Sequence, residues 1–252
     1  MKNGVLFLLV TVALFLQFGC EVIYVSQTAT GDGSGDSWDN ACTTISEAIE
    51  KAVLVPREEE DEWVEIWVAA GRYPEAVELK PHIHLLGGFL GNEEELEERD
   101  WTVNETIIDA TGYGDSAVTL ANDVLLDGFT VTGAKRSGIY CLRSSPEINN
   151  CTITNNQAEK GGGLYCRESS PSLENCIFIN NTATDGAGGY CYSSSPTFAH
   201  CAFINNTATD GGGLNCQDSS LSLSNCSFIN NTATDGGGCI FLDPSHRSSV
   251  AQ

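Results

Sequence analysis

The stretch that decides the fold runs from residue 144 to residue 243 and divides into four consecutive blocks: SSPEINNCTITNNQAEKGGGLYCRE (144–168), SSPSLENCIFINNTATDGAGGYCYS (169–193), SSPTFAHCAFINNTATDGGGLNCQD (194–218) and SSLSLSNCSFINNTATDGGGCIFLD (219–243). A period of 25 residues with no gap between copies is the mark of a solenoid, in which each repeat buries its apolar face against the next.

Within a block, large apolar residues recur at Ile148, Leu173, Phe198 and Leu223, and again at Ile153, Phe178, Phe203 and Phe228. Cysteine holds the column Cys151, Cys176, Cys201 and Cys226, and the position between it and the second apolar column varies freely (Thr152, Ile177, Ala202, Ser227). Apolar residues two apart around a tolerant one give the strand period with one face buried. Leu164 and Cys166 repeat the pattern, which places Tyr165, Tyr190 and Asn215 on the outer face. The expectation is three short strands per coil. Asn150, Asn175 and Asn225 stack at one corner, with His200 as the substitute turn residue, and Asn156, Asn181, Asn206 and Asn231 at another. Asparagine suits turn dihedrals and its stacked amides can bond up and down a ladder. Glycine pairs at 162–163, 188–189, 212–213 and 237–238 mark the re-entry into the next strand.

Working outward, VLLDGFTVTG (124–133) already has the cadence of a degenerate coil. Strands are expected over 63–68, 79–89, 106–109 and 117–120, so that 63–243 reads as one solenoid with longer loops in its first coils. The acidic runs 58–62 and 93–100 read as solvated loops, the second with room for a short helix. Residues 21–62 form the N-terminal cap: a strand over 22–25, a Gly/Asp/Ser loop, and an amphipathic helix over 44–53 with Thr44 or Ser46 as its cap. Residues 244–252 are a tail offering neither polar cap nor anchor, an ending expected of a truncated chain. Residues 1–20 read as a signal peptide, with an apolar run too short to span a bilayer comfortably. The run Leu16-Gln17-Phe18-Gly19-Cys20 resembles a bacterial lipoprotein box, which makes Cys20 a candidate for lipidation and that lipid the only expected link to a membrane.

The formal net charge is −22, from 34 acidic and 12 basic residues. It argues against nucleic acid or an anionic membrane surface as a direct partner, since both require positive charge. The eleven cysteines would suggest a disulfide framework in a small secreted domain. Here Cys141, Cys166, Cys191 and Cys216 form a second column in the repeat period, so the reading is stacked reduced thiols acting as small buried hydrophobes. No CxxC spacing points to zinc.

These features together resemble the right-handed parallel β-helix, or pectin-lyase-like, superfamily. The repeat FINN…GGG is similar to the F-x-x-N and G-G-x-I pair of polymorphic outer membrane proteins. The segment YVSQTATGDGSGDSWDNACTTISEAIEKA (24–52) resembles the cap of secreted bacterial β-helix proteins. The resemblance implies an all-β right-handed solenoid and a secreted, cell-surface or outer-membrane location. For activity it implies adhesion, or, as the alternative, a polysaccharide lyase or glycoside hydrolase.

The residues favour a structural or adhesive module binding polysaccharide or a surface or matrix protein. NNTATD has the wrong spacing for the N-T-D of polygalacturonases, no G-H-G or R-I-K motif occurs, and Lys160 and Arg167 are the basic residues of the regular repeats up to 243. No catalytic residue is assigned. Asp185, Asp210 and Asp235 form an acidic column that either recruits Ca²⁺ or sits solvated at a loop end, with Lys160 offsetting one charge. Tyr165, Tyr190 and Tyr192 are the outward aromatic candidates for a ligand surface. No cofactor beyond that calcium is expected.

Overall fold

A computed structural model describes residues 21–57, 62–242 and 249–251; the expected signal peptide, Cys20, most of the first acidic run and most of the tail lie outside them. Parallel strands stack coil on coil into four ladders. The first has nine strands, from Glu21–Val25 through Ile83–Phe89 and Glu147–Asn149 to Ser249–Ala251. The second runs from Gly71–Tyr73 through Thr152–Thr154 to Ser227–Ile229, and the third from Val77–Glu78 through Leu164–Arg167 to Ile240–Leu242. Pairing follows the 25-residue period, as in Ile153↔Phe178 and Phe178↔Phe203. The first ladder thus continues past residue 243, where Ser220 pairs with Ser249.

The fourth ladder corrects the expectation of three strands per coil. Gln157–Lys160, Thr182–Asp185, Thr207–Ala208 and Thr232–Ala233 pair with one another. Their sequences, QAEK in the first and TATD or its opening TA in the others, are too polar to be recognised as strands from periodicity; coil stacking, which pairs their backbones, makes them so.

Each regular coil bends at residues held in the left-handed region. Asn150, Asn175, His200 and Asn225 turn the first ladder into the second, with φ of 53–54°. Asn155, Asn180, Asn205 and Asn230 turn it next, Gly161, Gly186 and Gly211 after them, and Arg143, Glu168, Ser193 and Asp218 close the circuit. Single residues with polar side chains tolerate this region at modest cost. Neighbouring asparagines divide the labour: Asn180 bends the chain while Asn181 lies buried beside it. The αL glycine precedes the glycines of the re-entry, which serve close approach: a Cβ on Gly163 would come within 2.5 Å of the Gly188 carbonyl.

The core is the inner face of the first three ladders. Ile148, Leu173 and Phe198, the Phe178–Phe203 stack with ring centroids 4.8 Å apart, and the cysteines from Cys141 to Cys216 are buried there. The ten described cysteines are free thiols. Cys176 Sγ lies 3.3 Å from the Ile148 carbonyl, so the thiol serves as a weak donor to the coil beneath. A serine ladder follows the bend that closes the circuit: the Oγ of Ser169 accepts from the Ser144 backbone at 3.2 Å, and that of Ser194 from Ser169.

At the N-terminal end the helix spans Ile45–Leu54 with Thr44 as its cap, accepting from the Glu47 N–H. The Glu75 carboxylate, from the first coil, accepts from the backbones of Ile45 and Ser46 at 2.9 Å. Carboxylate at a helix start satisfies unpaired N–H groups and complements the dipole. Ile45, Ala48, Ile49 and Ala52 cover the open end of the solenoid.

Candidate functional site

Strand alternation in the third ladder sends Leu164 and Cys166 inward and Tyr165 outward. Registered pairing then sets Tyr140, Tyr165 and Tyr190 one above another. The rings stack, Tyr140 on Tyr165 at 5.0 Å between centroids and Tyr165 on Tyr190 at 5.7 Å.

The bend entering this ladder brings cations to the stack. The Arg136 guanidinium lies 4.5 Å from the Tyr140 ring centroid, and Lys160 Nζ lies 4.7 Å from that of Tyr190. Arg136, Tyr140 and Lys160, with Lys135, Glu159 and Tyr165, line a cleft of about 360 Å³. Lys160 donates to the Tyr190 hydroxyl at 3.3 Å and pairs with Asp185 at 3.4 Å. Partial burial pulls the Lys160 ammonium down, but the Tyr190 and Asp185 partners outweigh it and hold its pKa above the ordinary value. Burial pushes the Tyr190 hydroxyl up, with Lys160 opposing. The hydroxyl stays neutral and donates to Gln217 Oε1 at 2.9 Å.

Tyr165 is half-buried, with an edge on the cleft. Tyr190, expected on the outer face, is 3% exposed, and Asn215 one coil on is 1% exposed. The Tyr165 ring stacks on the Tyr190 side chain, and Lys160 and Gln217 hold the Tyr190 hydroxyl, so the outward position there is enclosed. Tyr190 is therefore the buried base of the stack rather than a ligand contact. Tyr192 is half-buried beside Arg167, 5.8 Å from guanidinium to ring, and does not line the cleft. The sequence reading missed Tyr140, Lys135 and Arg136 because they precede the first regular block; Tyr140 lies 25 residues before Tyr165 and was findable by extending the register backwards.

The acidic column is real. Asp185 and Asp210 bridge in parallel, and burial together with repulsion from Asp185 and Asp235 raises the Asp210 pKa. Asp210 Oδ1 accepts from the Gly236 N–H at 2.9 Å and Lys160 neutralises Asp185. Among the described residues no cluster of three or more His, Cys, Asp or Glu side chains is arranged to hold a metal ion. His200 bonds Asn225 at 3.1 Å and sits 3.8 Å from Glu174, a corner residue in both respects.

A family model described as "Right handed beta helix region" matches residues 95–251. No curated protein matches the sequence. Among solved structures, a pectin methylesterase from carrot superposes with a TM-score of 0.53 at 17% identity, over 82% of this chain and 64% of that one. This chain spans less than two thirds of the carrot enzyme's length, and at that identity the likeness is one of fold.

Proposed function

Because this chain belongs to the right-handed β-helix family and carries the pectin-lyase-like fold, we propose that it is an exported binding module whose tyrosine cleft holds an acidic polysaccharide. One observation carries the reading: Lys135 and Arg136, beside a Lys160 that balances Asp185, line a cleft on a tyrosine stack in a chain with 12 basic residues against 34 acidic ones. The tyrosine edges supply van der Waals contact to a sugar ring, and the cations take carboxylates. The carrot enzyme of the same fold is named for pectin, a polymer of that class. The residues lining the cleft include a single carboxylate, Glu159, whereas acid–base cleavage of a glycosidic bond uses a pair, so the cleft favours binding over turnover.

Calorimetry with hexagalacturonate tests the proposal. Saturable binding is expected, weakened about tenfold by Tyr165→Ala through loss of one ring contact, with the sugar recovered intact. Absence of binding, or equal binding by the variant, overturns it. Shortened or de-esterified products from methylated pectin would instead establish an enzyme.

A further inference from the structure

A second cleft lies on the outer face of the second ladder, and its wall is Trp101. Trp101 is 39% exposed, and Val103 and Ile177 are 75% and 39% exposed beside it. With Glu105, Thr152 and Asn175 they line a space of about 530 Å³. The floor is built by register, since Thr130, Thr152 and Ile177 are successive outward residues of one ladder.

Trp101 is held rather than left loose. The Asp100 backbone donates to the Gly88 carbonyl at 2.9 Å, and Asp100 Oδ1 accepts from the backbone of Thr102 at 2.9 Å. Asn104 closes the turn onto the Asp100 carbonyl at 2.8 Å and reaches the Gly88 carbonyl with its side chain. Two neighbouring coils are bare of side chains beneath it: a Cβ on Gly88 would stand 2.7 Å from the Trp101 backbone, and one on Gly128 3.1 Å from the Trp101 Cβ. Arg99 backs the indole at 5.0 Å, and its guanidinium is committed to Asp127 at 2.8 Å and the Gly87 carbonyl at 3.2 Å.

We propose that this cleft is a saccharide subsite for neutral hexose or pentose units, with Trp101 as the stacking platform. A rigid aromatic face, apolar neighbours and a few hydroxyl, amide and carboxylate groups match a sugar, whose faces are C–H and whose rim is hydroxyl. Charge selects within that class. Glu105 is the cleft's one charged lining residue and the nearby Arg99 is already paired, so a uronate, sulfate or phosphate meets repulsion there. The inference does not rest on the tyrosine cleft, which lies on a different ladder and has the opposite charge.

The test is tryptophan fluorescence of the whole protein titrated with neutral hexasaccharides of glucose, mannose, galactose and xylose, and with hexagalacturonate. At least one neutral sugar is expected to give a saturable change. Trp101→Ala should weaken it about tenfold or more, and Trp101→Phe should retain most of it. Thr152→Lys keeps the platform and fills the floor, so it should block binding while circular dichroism stays unchanged, and Tyr165→Ala should leave the titration intact. A flat response to every neutral sugar, tighter binding of hexagalacturonate at this site, or unchanged titration with both Trp101→Ala and Thr152→Lys overturns the proposal. Loss of the signal with Tyr165→Ala also overturns it, by assigning the sugar to the other cleft.

Discussion

Asn181 Oδ1 accepts two hydrogen bonds from Asn156, one coil earlier: from its backbone N–H at 3.0 Å and from its side-chain amide at 3.2 Å. The Asn181 amide in turn donates to the Ile153 carbonyl at 2.9 Å and to Asn206 Oδ1 at 3.1 Å. One fully buried side chain thereby satisfies the backbone at a corner where no strand partner is available.

Asn181→Ala should therefore cost about 3 kcal/mol or more, since each buried group left unpaired costs about 1–3 kcal/mol. The adjacent Asn180→Gly should be close to neutral, because Asn180 is exposed and its φ of 56° suits glycine. Urea denaturation of the two variants measures the contrast; equal destabilisation would show that both asparagines act only as bends.

The thiol columns should be chemically silent in the folded state. Cys141, Cys166, Cys191 and Cys216 are fully buried, so a reagent cannot reach their sulfurs in the folded chain. Burial pushes the Cys166 thiol up while hydrogen bonds from Cys166 and Cys216 pull that of Cys191 down, so inaccessibility rather than acidity protects the column. Brief iodoacetamide treatment with peptide mapping should modify the exposed Cys239 and spare Cys141, Cys166, Cys191 and Cys216 until denaturant is added. Rapid native labelling of the Cys166 peptide would contradict the packing described.

Asp210 should weaken the fold at neutral pH. Its pKa is raised in the folded state, so the folded chain binds its proton more tightly than the unfolded chain does. The associated stability is present below the unfolded carboxylate range and is lost as pH rises through the raised value. Asp210→Asn retains an acceptor for Gly236 and removes the repulsion. Its melting temperature should rise modestly at pH 7, and the gain should vanish at about pH 3, below the usual Asp range. A calcium-dependent rise in wild type that Asp210→Asn abolishes would instead make the column a cation site.

Binding of hexagalacturonate should weaken as salt rises, because cleft cations act at contact range while the net charge of −22 is screened beyond about 10 Å at 0.1 M salt. Lys135→Gln and Arg136→Gln should each flatten that dependence, with the effect read by calorimetry at two ionic strengths. Binding that strengthens with salt would mean the global charge dominates and the cleft cations do not touch the ligand.

Much of the architecture is legible in the chain alone. A 25-residue period with residues alternating about Ile153 and Cys166 determines parallel registered strands, because identical positions in stacked coils must share one environment. The same logic found the asparagine ladder and the thiol columns, while the helical spacing of Ile45, Ala48, Ile49 and Ala52 found the capping helix. It could not find the fourth ladder, whose strands are polar and owe their form to backbone pairing with neighbours. Nor could it tell that Tyr190 is covered while Tyr165 keeps an edge on the cleft, since both share one position in the repeat. That difference depends on what folds over each coil, as does the meeting of Arg136, Lys160 and the tyrosines, and of Trp101 with two bare glycines. Periodicity specifies which way a side chain leaves its strand; only the packing of irregular segments against that strand decides what it meets there.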